Sequence, residues 1–414
     1  MEKINHQHIL RIAVRKFAPF ESTMDKLWAS YCAVSGCELK AEFIAMDLHE
    51  LHETTLLDKG LADGSWDIAH LNTDWLLEGY EDKAIEDLKP YLDENPPEGF
   101  PGAWSSSLLS LQQFDKQVLG LPFHDGPECL IYRKDLFENP EEQEAYFKLY
   151  GEKLAPPTSW AGFLQLSHFF HRPEQDLYGS VFAGYPDGHN TVFDFCLQLW
   201  SRGGQLTNEQ GKINIDSPEA VAAVAFYRQL LNDDKAVHPG SADFDSVKAG
   251  AAFSRGEAAL MINWFGFASV CEVDAASNVK GKVGITTLPV AEGHVPASLN
   301  VYWLYTIGSG SRNKAIAYDF IRHAVNKESD KLLTLEGGIG CRISTWKDEE
   351  INQIIPYYHQ LEQLHVGAKS LPQKRNWAAI ASIVDQMVLK AMGSAVSTES
   401  LLKEAQAQID SIDN

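Results

Sequence analysis

Apolar positions change period several times along this chain, and each change marks a predicted element. Residues 10–14 form a short apolar run, broken only by Arg11, of buried-strand length. Met24, Leu27, Trp28, Tyr31 and Cys32 then recur at i, i+3, i+4, i+7 and i+8, which predicts a helix with one apolar face. Residues 39–44 and 66–71 predict two further strands. Strand, helix, strand, helix, strand is a doubly wound α/β pattern, and such sheets bind ligands beyond the carboxyl ends of their strands. The loops 15–20 and 72–75 are therefore expected to face a crevice. Asp74 there can accept hydrogen bonds from hydroxyls or cap a helix over 75–79, and Trp75 can stack.

Further along, residues 120–134 read as extended chain broken by His124-Asp125-Gly126-Pro127, a bend suited to a hinge or a ligand contact. A strand over 180–184 and a helix over 193–200 follow, stopped by Gly203-Gly204. Ser217-Pro218 starts another helix with a cap and a first-turn proline. Residues 252–268 combine a helical turn, the polar break Ser254-Arg255-Gly256-Glu257 and a buried strand. That strand stops abruptly at Asn263-Trp264-Phe265-Gly266, where an amide and an indole suit a flat polar ligand. Residues 299–304 alternate as a strand with Asn300 and Trp303 near its start, and 283–289 reads as a return strand. Helices are expected over 315–325 and 380–391, and a glycine-rich turn over 337–342.

The length, 414 residues, allows two or three domains, and 44% hydrophobic with 22% charged residues is the composition of folded cores. A formal net charge of -22 without a basic stripe argues against nucleic acid and anionic membrane partners. No apolar run approaches the roughly 18–20 residues that span a bilayer. Residues 1–8 are polar and lack the apolar core of a secretory leader, so either a presequence was removed or the protein carries none. Of the six cysteines, Cys32 and Cys37 sit five apart at a helix end and its loop, where a small bridge can form, and the other four have apolar neighbours. All six are read as free thiols.

Enzyme and metal signatures fail on spacing. His49-Glu50-Leu51-His52 holds its histidines three apart, where a zincin helix needs four. His168 and His171 share a face with Glu174 but lack a further ligand. Residues 308–314 and 337–340 fit neither a phosphate loop nor a dinucleotide fingerprint, and no G-x-S-x-G occurs. Asp67 with Asp74, or Asp187 with Asp194, are paired acids on paper, but nothing singles them out for glycoside hydrolysis. No metal, cofactor or catalytic residue is expected.

Several segments carry a resemblance. Phe253 with Gly256 and Ala258-Ala259-Leu260-Met261-Ile262-Asn263 resembles the signature of family 1 extracellular solute-binding proteins, the maltose-binding-like receptors of ABC importers. Gly120-Leu121-Pro122-Phe123 followed by residues 129–137 is similar to that family's crossover segment. Pro157-Thr158-Ser159-Trp160 with Phe163 resembles its helix start, although Ala161 and Gly162 stand where an acidic residue is usual. Residues 283–289 and 397–412 resemble its return strand and closing helix. The resemblance implies a two-lobed periplasmic-binding-protein fold of type II, each lobe a doubly wound, mostly parallel sheet flanked by helices. It places the lobes at 1–119 with 284–328 and at 125–282 with 329–414, with crossings near 120–124, 283 and 328.

On that fold a set of side chains is expected to line the ligand cleft: Phe20, Asp74, Trp75, His124, Asp125, Trp200, Asn263, Trp264, Asn300, Trp303 and Arg342. Indoles suit the apolar face of a sugar ring, Asp and Asn can bridge adjacent hydroxyls, and Arg342 can anchor an acidic group. The expected function is a monomeric, non-enzymatic receptor that closes on a small sugar or sugar derivative and delivers it to an ABC permease. A sugar-active enzyme and a cytoplasmic sensor of the same fold are the alternatives. The compartment is expected to be periplasmic or extracellular if a presequence was removed, and cytoplasmic if none exists.

Overall fold

The computed structural model describes residues 9–413; the leader reading of residues 1–8 lies outside them. The chain forms two compact units. The first holds the chain up to Gly126 with Val301–His359 and Gln373–Arg375, and the second holds Pro127–Asn300, Gln360–Pro372 and Asn376–Asn414.

In the first unit, β1 (Ile9–Arg15), β2 (Lys40–Met46), β3 (Ile68–Asn72), β4 (Leu121–His124) and β9 (Trp303–Ile307) make a sheet of order β2-β1-β3-β9-β4. Strands β2, β1 and β3 are mutually parallel, while β9 runs antiparallel to both β3 and β4. All but β9 therefore end at the same edge, and Trp303, which begins β9, pairs with Asn72 on one side and His124 on the other. The helix α1 (Ala18–Ser35) leaves β1 at this edge. It starts with Pro19 in its first turn and buries Phe20, Met24, Leu27 and Tyr31 on the face that the i, i+3, i+4 spacing anticipates.

In the second unit, β5 (Glu128–Arg133), β6 (Tyr178–Val181), β7 (Ala258–Trp264) and β8 (Val283–Thr286) are ordered β8-β5-β7-β6. Here β5 is the reversed strand. Strand β7 is preceded by a helix, Ser246–Arg255, that Asp245 caps and Gly256 terminates in the left-handed conformation. This accounts for the polar break read in the sequence. β6 lies tight against the helix Trp160–Phe170: a Cβ at Gly179 would fall 1.9 Å from the Ser167 carbonyl oxygen. Helix α2 (Asn190–Trp200) is buried along its whole length.

The expected crossings need correction. Residues 283–286 pair with β5 inside the second unit, so the chain passes to the first unit only after Asn300. Residues 329–359 belong to the first unit: Arg342 donates to the carbonyls of Val325 and Glu98 there, and Lys26 of α1 pairs with Glu336. The alternating stretch 299–304 is likewise not one strand. Ser298–Leu299 pairs with Ala368–Lys369 in the second unit, and β9 begins afresh at Trp303.

Candidate functional site

At the carboxyl edge of the first sheet, aromatic rings gather because three strands and α1 deliver them there. Phe20 lies edge-on to His124 at 4.7 Å between ring centres and to Phe123 at 5.1 Å, and Trp303 meets Trp75 edge-on at 5.9 Å. Phe17, His124 and Trp303 are half-buried, whereas Phe20 and Trp75 are buried. The half-buried rings offer surface, and Phe20 and Trp75 brace them from behind. His52 tilts over Trp75 at 5.0 Å and is held by Glu78, 2.8 Å from its Nε2.

Two histidines of this edge are held neutral. Burial pushes His70 down to about 3, and the nearby His124 adds to the effect. Burial likewise pushes His124 down to about 3, against the pull of Asp125. The His124 Nδ1 accepts the Ile339 N–H at 2.9 Å, which requires a ring nitrogen without a proton. Asp125 is buried beside it, with its own N–H donating to the Ile339 carbonyl. Half-buried Asp74 follows Asn72 and Thr73 on the loop leaving β3.

The second unit presents an edge of its own, at the carboxyl ends of parallel β6 and β7. Trp264 ends β7 half-buried, with Phe193 edge-on behind it at 5.6 Å. Asn263 does not face outward: its Nδ2 donates to the Ser246 carbonyl and its Oδ1 accepts the Trp264 N–H at 2.9 Å. The amide expected to meet ligand instead fixes the backbone that carries the indole. The loop leaving β6 carries Tyr185, exposed, and His189, half-buried. Asp187 folds this loop by accepting the N–H groups of His189 and Asn190, both at 2.9 Å.

Other expected site residues are buried. Trp200 is buried in the last turn of α2 with the Lys369 ammonium 5.8 Å from its ring centre. Asn300 is buried at the end of the second unit's chain, donating its N–H to the Lys369 carbonyl. Arg342 is buried over Trp104 and spends its guanidinium on two carbonyls. A buried planar fork whose two terminal nitrogens both serve backbone carbonyls acts as a structural tie.

Of the acid pairs considered in the sequence, Asp67 is consumed by Ser311, Asn313 and the Arg11 N–H. Asp194 is different. Burial lifts its carboxyl to about 7 despite the hydrogen bond from Tyr227, and burial together with Asp194 holds Glu128 well above the usual carboxylate range. Glu128 also lines a cavity of about 310 Å³ in the second unit, with Ser298, Leu288 and Leu364 among its walls. A carboxyl whose folded pKa is raised contributes stability below its unfolded pKa, and loses it as pH rises through the folded value. Asp194→Asn is therefore expected to stabilise the protein by about 2 kcal/mol at pH 8 and by much less at pH 5. Urea midpoints at the two pH values check this, and an equal gain at both would remove the charge argument.

Sequence reasoning missed Phe17, His52, His70, Glu128, Tyr185 and His189. The signal for the last two was present: Asp187-Gly188-His189-Asn190 is a turn chemistry that ends a loop and starts a helix, three residues earlier than expected. Among the described residues no three His, Cys, Asp or Glu side chains gather as a metal site, and His168 instead pairs with Asp233 at 2.7 Å. No helix among them is long and apolar enough to cross a membrane.

The family model described as bacterial extracellular solute-binding protein matches residues 51–331. The chain belongs to that family. Among curated relatives of this solute-binding protein, a probable ABC transporter-binding protein of Deinococcus radiodurans is 24% identical over 70% of this chain and 66% of its own length. The maltose-bound MalE3 of T. maritima superposes with a TM-score of 0.85 at 23% identity, over 98% of this chain and 99% of that one. An ABC transporter solute-binding protein of Agrobacterium radiobacter K84 in complex with ribitol gives the same TM-score at 25% identity, with 98% of each chain covered. The two-lobed periplasmic-binding-protein fold expected from the sequence is thus the fold of these proteins, and each unit here carries a mixed sheet in which one strand runs against the others.

Proposed function

We propose that this solute-binding protein is a non-enzymatic receptor for a small carbohydrate or polyol, which it passes to an ABC permease outside the cytoplasm. One observation carries the reading: the strand-end edge of each unit offers a half-buried indole, Trp303 or Trp264, braced by an edge-on aromatic ring. A rigid indole face gains apolar area against the C–H face of a sugar at little entropic cost. Asp74 on one edge and His189 on the other supply polar groups for hydroxyls. The neutral state of His124 matters for the same reason, since an uncharged ring exchanges hydrogen bonds with a neutral ligand without stranding a buried charge. The maltose and ribitol bound by the structural relatives belong to this chemical class. The permease as partner is supported by the ABC transporter naming of the relatives.

Thermal unfolding against sugars, polyols, sugar acids and sugar phosphates tests the reading. A ligand present at about a hundred times its Kd adds about 2.7 kcal/mol, a rise of several degrees in Tm. With Arg342 committed to carbonyls, neutral sugars and polyols are expected to outperform acids and phosphates. A panel in which only charged compounds raise Tm, or in which the sugar is turned over, would sink the proposal.

A further inference from the structure

Two half-exposed cysteines meet where α1 ends. Gly36 takes the left-handed conformation, with φ of 70°, and its N–H returns to the Cys32 carbonyl at 2.9 Å. This terminator brings the side chain one residue beyond the glycine back over the helix residue four before it. Those two positions are Cys37 and Cys32, and Cys37 lies near enough to Cys32 to add to the upward shift of its thiol. Ser35 secures the turn, accepting the Cys37 N–H at 3.2 Å while donating to the Tyr31 carbonyl at 2.7 Å. The other cysteines, Cys129, Cys196, Cys271 and Cys341, are buried.

We propose that Cys32 and Cys37 are a modification site that closes to an intramolecular disulfide when the protein meets a small-molecule disulfide. Thiols of an extracellular family face the oxidising conditions in which such bonds persist. The chemistry is two exchanges. One cysteine, as its thiolate, attacks the S–S bond of oxidised glutathione and expels one glutathione thiolate, leaving a mixed disulfide. The second cysteine gives up its proton, attacks the protein sulfur of that mixed disulfide and expels the other glutathione. Two protein S–H bonds become one S–S bond, and the two electrons reduce oxidised glutathione to two thiols. Burial of Cys32, with Cys37 beside it, raises its thiol, so the exchange proceeds faster above neutral pH. The bond ties down the last turn of the helix whose first turn carries Phe20.

The folded protein is incubated with excess oxidised glutathione at mildly alkaline pH, blocked with iodoacetamide under denaturing conditions and digested with trypsin without reduction. Both cysteines fall in one peptide, residues 27–40, since Lys26 and Lys40 flank it. The expected result is that peptide lighter by two hydrogens and unalkylated, with the four buried cysteines alkylated. The closed protein is expected to melt about 2–5 °C higher than the reduced one. Cys37→Ser should abolish the closed peptide and leave a single glutathione on Cys32. A peptide carrying two glutathiones or two alkyl groups after treatment overturns the proposal, and so does a closed form that melts lower than the reduced one.

Discussion

Trp264→Ala should weaken carbohydrate binding about 30- to 300-fold, a loss of roughly 2–3.4 kcal/mol, while leaving its unit folded. The size follows from how the indole is held. It is half-buried, so one face is already dry against Phe193, and the Asn263 side chain holds the backbone N–H of the residue that carries it. A ligand stacking on such a ring pays little to order it. Trp264→Phe should recover part of the loss, because a smaller ring keeps some of the apolar face. Trp200→Ala makes the contrasting case. That side chain is 4% exposed, so its removal should cost about 3–5 kcal/mol of stability. Titration calorimetry with a sugar found in the thermal panel separates the two outcomes. Undiminished affinity in Trp264→Ala would mean that the edge of β7 is not where ligand binds.

That contrast marks where the sequence could be read and where it could not. Periodicity located β1, α1, β3, β7 and the helix started by Ser217-Pro218, because burial alone sets those patterns. It also brought Trp264 to a strand end, since a run of apolar residues stopping at a polar or aromatic one is a local signal. What it could not supply was the partner of each side chain. Asn263, Asn300 and Arg342 read as ligand groups because amides and guanidinium are ligand-like. The side chains of Asn263 and Arg342 bond to Ser246, Val325 and Glu98, residues near in space but not reachable from pattern. The crossings failed for the same reason. Residues 283–286 have the composition of a strand in either sheet, and only the register against β5 assigns them to the second.

The sharpest consequence of this hidden pairing lies at His70, a residue on β3 whose type gave no hint of its state. It is fully buried among Phe123, Phe20 and Tyr305, at 4.3, 5.6 and 5.2 Å between ring centres, and no hydrogen bond reaches either ring nitrogen. The folded protein refuses the proton down to about 3, while the unfolded chain accepts it near the ordinary histidine value. A depressed histidine pKa means that the unfolded state binds more protons below pH about 6.5, so stability falls as pH falls from there toward the folded value. Between pH 7 and 5 the loss through His70 is about 2 kcal/mol. Asp330, lifted by burial to about 6 in the same unit, acts with opposite sign and returns about 1 kcal/mol. His70→Leu removes the histidine contribution with a side chain of similar bulk, and it also removes two buried polar atoms without partners. The variant should therefore be about 2 kcal/mol more stable than the parent at pH 5 beyond any difference at pH 7, read from urea midpoints at both. If parent and variant lose stability in parallel on acidification, His70 takes up its proton in the folded state and the dry aromatic surroundings assigned to it are wrong.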